Sequence, residues 1–179
     1  EVTLLQVPEL TPDEALIRTG AKVARDQFAH IPVATPDRLP EADAIIIGRF
    51  DLGEVDRILT IYSRQAGKFR AVAKGIRRPQ SKLAPHLELF TQAKLMLAQG
   101  RELDVITSAE MVDAHWPLRT DLEAFGHASY LAELLNLYTE DRQENAAMFD
   151  LIAASLRVLC DGVSPFAVTR HFELGLLSL

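Results

Sequence analysis

From residue 42 onward, short apolar runs alternate with turn residues, which is the pattern of β-strands joined by tight connections. Gly53, Gly67 and Gly100 fall between neighbouring runs, where a hairpin needs a residue that tolerates a positive φ. The pattern therefore predicts five strands. They cover residues 44–50, 57–63, 68–76, 87–98 and 103–112.

The third connection differs from the other turns because it is long and basic. It covers residues 77–86 and includes Arg77, Arg78 and Lys82. Five antiparallel strands in about 70 residues, with one long loop after the third strand, are typical of a small closed barrel such as an OB-fold. We expect this barrel to occupy residues 43–114.

After Trp116-Pro117 the apolar spacing changes to three and four residues, which predicts helices. The pattern Thr120-x-x-Glu123 resembles a capping box and predicts the start of a first helix that ends near Tyr138. The fold class is therefore α+β, with an acidic helical domain over residues 115–179 after the barrel.

Two further helices are predicted in this helical domain. Asn145 is expected to cap the second helix, which stops at Gly162. Ser164 and Pro165 then have the residue types favoured at the start of a third helix. Because the chain stops inside an apolar stretch, we expect this domain to be truncated and the chain to be a fragment of a longer protein.

The first 42 residues follow a different pattern. A strand is predicted at residues 2–7 and a helix at residues 12–24, but prolines interrupt the remainder. A segment of this kind buries little apolar surface, so we expect a poorly anchored N-terminal extension over residues 1–42 that limited proteolysis cuts first.

Composition places the chain among ordinary globular proteins, with 48% apolar and 25% charged residues and a mean hydropathy of +0.05. Its longest apolar runs are far shorter than the roughly 18 residues that cross a bilayer, so we expect no membrane partner and no secretion signal. A single cysteine, Cys160, predicts a reduced, buried thiol and a cytoplasmic location.

Catalytic motifs are missing from the sequence. There is no Gly-x-Gly-x-x-Gly loop, no Walker loop and no nucleophile elbow, and the five histidines are scattered. One cysteine does not make a multi-thiolate zinc site. We therefore expect no catalytic residue, no metal site and no cofactor.

The charge distribution gives the positive signal. The net charge is −6, yet residues 57–87 contain eight basic side chains and no acid. Such a local concentration of positive charge indicates a polyanion site, and a merely solvated surface is the alternative. The candidate DNA-binding residues are Arg57, Arg64, Lys68, Arg70, Lys74, Arg77, Arg78 and Lys82.

Alternation along the third strand refines this hypothesis. Lys68, Arg70 and Lys74 share one face, and we expect all three to point outward while Phe69 points into the core. A groove lined by these cations would follow the phosphates of a nucleic acid strand. Three aromatic residues are candidates for stacking on bases, although core positions are the more common role for them. They are Phe50, Tyr62 and Phe90.

Several ordered motifs resemble the RecO family of recombination mediators, over about residues 42–179. They are DLGEVDRILT at residues 51–60, GKFRAVAKGIRRP at 67–79, SKLAPHLELF at 81–90 and GRELDVIT at 100–107. YLAE at residues 130–133 and FELGLL at 172–177 resemble the family's helical region.

This resemblance implies an N-terminal OB-fold and a helical domain that together act in DNA repair and DNA recombination. It implies binding of single- and double-stranded DNA, strand annealing, and recombinase loading with RecR on DNA coated by single-strand-binding protein. The basic face of the OB-fold would contact DNA and RecR. The family's four-cysteine zinc module would lie beyond the last residue given, so the resemblance implies no zinc site within this chain.

Residues 1–47 instead resemble an internal piece of the WrbA-type flavodoxin-like NAD(P)H:quinone oxidoreductases. The similar runs are VPEL at residues 7–10, IPVATP at 31–36 and EADAIIIG at 41–48. A junction between the two resemblances is expected near residues 43–47, and it indicates a chimera, a designed fusion or an assembly artefact. A fragment of an FMN-dependent oxidoreductase is one alternative function. A protein-interaction module that binds no nucleic acid is another.

Overall fold

The structure is a computed structural model, and it describes residues 41–179. These residues belong to one structural unit, Arg38–Leu179. The strand expected at residues 2–7, the helix expected at residues 12–24 and the predicted cleavage sites lie outside the described residues.

Five strands form a closed barrel in the order β1-β2-β3-β5-β4. Neighbouring strands are antiparallel except β3 and β5, which pair in parallel through Ala71–Asp104 and Val72–Val105. This order confirms the predicted OB-fold. The strands are β1 (Glu41–Leu52), β2 (Asp56–Ser63), β3 (Gly67–Ala73), β4 (Gln92–Ala98) and β5 (Asp104–Asp113).

The connection between β3 and β4 is longer than the sequence predicts. We expected β3 to reach residue 76 and β4 to start at residue 87, and both expectations are wrong. Ile76 and Leu87 are instead buried against the barrel interior from the loop, which contains a short 3-10 helix, Ala84–His86. Apolar residues near the strand ends therefore close the barrel without extending its ladders.

The barrel interior follows the alternation predicted from the sequence. Leu59 and Ile61 on β2 and Phe69 and Ala71 on β3 all point inward and are buried. Phe69 is only 2% exposed, as expected for a core position.

Strand β1 is buried on both faces over part of its length. Ala44 and Ile46 point into the barrel, whereas Ile45 and Ile47 belong to a second core that includes the helices. A parallel sheet is therefore not needed to bury the run Ile45–Ile47, because the barrel covers one face and the helical domain covers the other.

A β-bulge at Ile47 changes which side chains of β1 face outward. Ile46 pairs with Ile61, and the next residue to pair is Gly48 with Thr60, so Ile47 is an extra residue. Beyond the bulge the alternation is reversed. Phe50 therefore faces outward and is 67% exposed.

Three helices follow the barrel: α1 (Leu122–Tyr138), α2 (Ala146–Cys160) and α3 (Pro165–Leu176). No helix among residues 41–179 combines the length and the apolar character required to cross a bilayer. Their apolar faces meet in the core that also contains Ile45 and Tyr62 of the barrel. The helical domain therefore packs directly on β1 and β2.

The observed helix starts agree with the predicted ones for two of the three helices. Asn145 accepts a hydrogen bond from the backbone N–H of Met148, and Pro165 opens α3, as expected. The capping box at Thr120 is wrong by one residue. Asp121 caps α1, since its carboxylate accepts hydrogen bonds from the backbone N–H groups of residues 123 and 124.

Candidate nucleic-acid interface

Lys68 lies beneath the end of α1 and does not face solvent, which corrects the predicted outward row of three cations. Its side chain is 11% exposed, and its Nζ donates hydrogen bonds to the carbonyl oxygens of Asn136 and Thr139, both at 2.6 Å. Carbonyl groups at the end of a helix carry partial negative charge, so the ammonium group stabilises the end of α1. Lys68 therefore fastens the helical domain to the barrel.

The connection between α1 and α2 covers the first part of β3. Asp141 lies within ion-pair distance of Lys68 (3.5 Å) and Arg70 (3.9 Å). The backbone N–H of Arg142 donates to the Lys68 carbonyl oxygen at 2.7 Å, and its guanidinium donates to Asp104 of β5 at 2.6 Å. Since β3 and β5 share only two paired positions, this segment occupies the remaining edge of β3.

Arg64 forms a second link between the barrel and the helices. Its guanidinium donates two hydrogen bonds to the carboxylate of Asp150 on α2, lies over the Phe149 ring at 4.8 Å, and lies 3.9 Å from Asp43. The hydrogen bond from Arg64 lowers the pKa of Asp150. This bidentate geometry is the strong form of an Arg–carboxylate pair, so Arg64 is engaged within the protein.

Arg57 and Arg77 hold the hairpin between β1 and β2. Arg57 Nε donates to Asp51 at 2.8 Å, and Arg77 Nε lies 3.5 Å from the same carboxylate. Arg77 also donates to the Gly53 carbonyl oxygen at 3.0 Å, and its backbone N–H donates to the Val55 carbonyl oxygen at 3.0 Å. The hydrogen bond from Arg57 lowers the pKa of Asp51. The start of the long loop is thereby fixed to the tip of the hairpin.

Lys74, Arg78 and Lys82 lie on the loop that follows β3, and all three side chains are exposed. No carboxylate among residues 41–179 forms an ion pair with any of them. Backbone hydrogen bonds from Arg78 to Gly75 (3.1 Å) and from Ser81 to Arg78 (2.9 Å) give this part of the loop a defined turn structure. Residues 74–82 therefore contain three exposed cations, and this segment is here called the basic loop.

The eight basic residues predicted to bind DNA thus fall into two groups. Three lie on the basic loop, and five make contacts within the protein. The five are Arg57, Arg64, Lys68, Arg70 and Arg77. DNA binding by any of the eight stays a prediction.

The three candidate stacking residues have different environments. Tyr62 of β2 is fully buried in the core that the barrel shares with the helices. Phe90 is 3% exposed, and its ring packs edge to face against that of Phe125, with 5.3 Å between the ring centroids. The hypothesis that Tyr62 and Phe90 stack on bases is therefore wrong. Phe50 is the one of the three that the structure leaves exposed.

Cys160 is partly buried, and its burial raises the pKa of the thiol. It is the single cysteine of the chain, so the residues present do not fit a four-cysteine zinc site. Among residues 41–179 no group of three or more His, Cys, Asp and Glu side chains is arranged to hold a metal ion.

Comparison with known proteins gives a consistent result over the same region. Residues 39–115 match the family model described as Recombination protein O N terminal, and residues 119–179 match that described as Recombination protein O C terminal. The chain belongs to the RecO family. The two matches meet at the point where the barrel ends and the helices begin.

Curated relatives with the same description support this assignment. DNA repair protein RecO of Roseiflexus sp. (strain RS-1) is 44% identical over 141 residues, which is 79% of this chain and 50% of the relative. The protein of the same name from Pelotomaculum thermopropionicum is 39% identical over 142 residues, which is 79% of this chain and 55% of the relative. The chain therefore spans about half the length of the curated relatives it matches.

The RecO family matches begin at residue 39, so the resemblance of residues 1–47 to a flavodoxin-like protein stays a prediction.

The sequence analysis did not predict that five of the eight candidate cations of this RecO-family barrel form ion pairs within the protein. Residues 57–87 contain no acid, but the carboxylates that pair with them come from elsewhere in the chain. These are Asp43, Asp51, Asp141 and Asp150. The acidic charge of the helical domain is the signal that could have indicated the pairing with Asp141 and Asp150. Asp43 and Asp51 lie on β1.

Proposed function

We propose that this chain is the DNA-binding part of a RecO-type recombination mediator and that it binds single- and double-stranded DNA through the basic loop. The observation that supports this proposal is the exposed set Lys74, Arg78 and Lys82, which has no carboxylate partner among residues 41–179. Cations in this state can exchange solvent counterions for phosphates without breaking an internal ion pair.

The wider role proposed for the protein follows the family. It promotes strand annealing and recombinase loading in DNA repair, together with RecR and single-strand-binding protein, and it acts in the cytoplasm. This role requires positioning of DNA and of protein partners, and it requires no bond-making step. We therefore propose that the chain itself has no catalytic activity.

The proposal is tested by binding of a labelled oligonucleotide at several salt concentrations. Each phosphate contact contributes a slope of about 0.7 on single strands, so Lys74→Gln with Arg78→Gln lowers the slope by about 1.4. Lys94→Gln with Arg157→Gln is the matched control, because it removes two exposed cations from β4 and α2. Its slope should equal that of the original chain.

Two results would contradict the proposal. No binding at low salt would favour a protein-interaction module, and equal slopes for the two double variants would place DNA elsewhere. A visible absorption spectrum separately tests the oxidoreductase alternative, since stoichiometric FMN would colour the protein yellow.

A further inference from the structure

The outward face of the β1–β2 hairpin and β3 contains a row of apolar side chains. Phe50 pairs with Ile58, and Ile58 pairs with Val72, so the three residues lie side by side across β1, β2 and β3. Side chains at directly paired positions point to the same face and have Cβ atoms about 5 Å apart. Phe50 is 67% exposed, while Ile58 and Val72 are partly buried.

The helices cover only part of the outward face of β1. The helical domain covers Ile45, Ile47 and Tyr62, but it does not cover Phe50. The bulge at Ile47 is what turns the Phe50 ring outward, because uninterrupted alternation from Ile46 would have placed it inside. An aromatic ring is therefore exposed on β1.

Positive charge lies next to this row. Lys74 is the first residue after β3, two residues beyond Val72, and its side chain is exposed. The basic loop continues from this point. Its start is fixed to the hairpin that contains Phe50, because Asp56 accepts a hydrogen bond from the Gly75 N–H at 2.7 Å and Arg77 binds the Gly53 carbonyl.

We propose that Phe50 is a stacking site for an unpaired base and that the face around it discriminates single-stranded DNA from duplex DNA. The inference rests on the DNA-binding function proposed above. An exposed ring beside a track of cations fits a strand that presents both bases and phosphates, because bases stack on the ring while phosphates contact the cations. Bases of a duplex are already stacked and paired, so a duplex uses the cations alone.

The charge around the site agrees with this occupant. Asp51, the carboxylate nearest in sequence to Phe50, is paired with Arg57 and Arg77. Lys74 and Arg78 have no carboxylate partner among residues 41–179. Asp56, two residues before Ile58 on the same face of β2, accepts the Gly75 N–H. The face therefore combines apolar side chains and unpaired cations with carboxylates that are engaged within the protein, which suits a single strand.

The test compares binding of a fluorescein-labelled oligothymidine and of a duplex of equal length by the 179-residue chain. Phe50→Ala should weaken binding of oligothymidine by about 10- to 100-fold. Duplex binding should change less than about twofold, and the salt slope for oligothymidine should be unchanged because no charge is removed. Phe50→Trp should restore oligothymidine binding, whereas Phe50→Leu, which keeps apolar area without a ring, should not.

Met96→Ala is the matched control, because it removes another exposed apolar side chain from the barrel, on β4. It should leave both affinities unchanged. Equal loss of duplex and oligothymidine binding in Phe50→Ala would overturn the inference, as would full binding by Phe50→Leu. If the original chain binds neither DNA at low salt, the proposed function itself fails; if it binds and Phe50→Ala does not differ, the stacking site alone fails.

Discussion

Gly67 packs directly against the backbone of Gln143, so that a Cβ at residue 67 would overlap the Gln143 carbonyl group. Gly67 is the first residue of β3 and has a φ of 63°, and Gln143 lies between α1 and α2. The barrel and the helical domain thus meet at Gly67, where the absence of a side chain allows two backbone segments to come close. This contact lies next to those of Lys68 with the end of α1.

Replacement of Gly67 by Ala tests this close approach. A positive φ costs about 1 kcal/mol in a non-glycine residue, and the overlap adds about 1–3 kcal/mol. We expect Gly67→Ala to lower the free energy of unfolding by about 2–4 kcal/mol, measured by urea denaturation. Gly53→Ala is the matched control, because Gly53 has φ of 62° and nothing within 4 Å of an added Cβ. An equal loss of unfolding free energy in the two variants would contradict the close contact between Gly67 and Gln143.

Lys68 and Lys74 should respond in opposite ways to the same substitution. Lys68→Met removes two charge-assisted hydrogen bonds to α1, so we expect a loss of about 2–3 kcal/mol in the free energy of unfolding. Lys74→Met should leave stability nearly unchanged and lower the salt slope of single-strand binding by about 0.7. Urea denaturation and oligonucleotide titration measure the two effects. A stable Lys68→Met variant with a reduced slope would reverse our assignment of Lys68.

The hydroxyl of Tyr62 is buried and has no hydrogen-bond partner among residues 41–179. An unsatisfied buried polar group costs about 1 kcal/mol or more, so Tyr62→Phe should raise the free energy of unfolding by about 1 kcal/mol at pH 7. Burial also raises the pKa of Tyr62 above its ordinary value of 10.0.

The raised pKa gives the Tyr62 prediction a pH dependence. Because the unfolded state loses this phenol proton at lower pH than the folded state, the original chain loses stability as pH rises above about 10. The advantage of Tyr62→Phe should therefore grow between about pH 9 and about pH 11, measured by urea denaturation. Tyr130 and Tyr138 are present in both proteins, so their titration cancels. An advantage that shrinks with pH would contradict the burial of the hydroxyl.

Asp150 gives the opposite pH dependence. Arg64 lowers its pKa, so the pair stabilises the folded state above the unfolded pKa of about 3.9 and this contribution is lost as pH falls through the lower, folded value. Asp150→Asn should reduce the loss of thermal stability on acidification below about pH 4. Arg64→Met should give the same flattening, and the double variant should add nothing further. Additive effects in the double variant would show that the two groups act separately.

The sequence by itself determined the main elements of this protein. Alternating apolar residues, turn glycines and the change to helical spacing near Trp116 are local signals, and each predicts an element without knowledge of the rest of the chain. The barrel, the three helices and the Asn145 cap follow from such signals. The ordered motifs also indicated the family that the comparisons found.

Only the tertiary structure decided which side chains of the candidate interface are exposed. The bulge at Ile47 reverses alternation and turns Phe50 outward, and it is defined by pairing with β2, a non-local contact. Lys68 and Arg70 are on the outer face, as alternation predicts, but Asp141 from the helical domain lies against both. The sequence around a cation does not fix its exposure, because the carboxylates and carbonyls that pair with it come from distant parts of the chain.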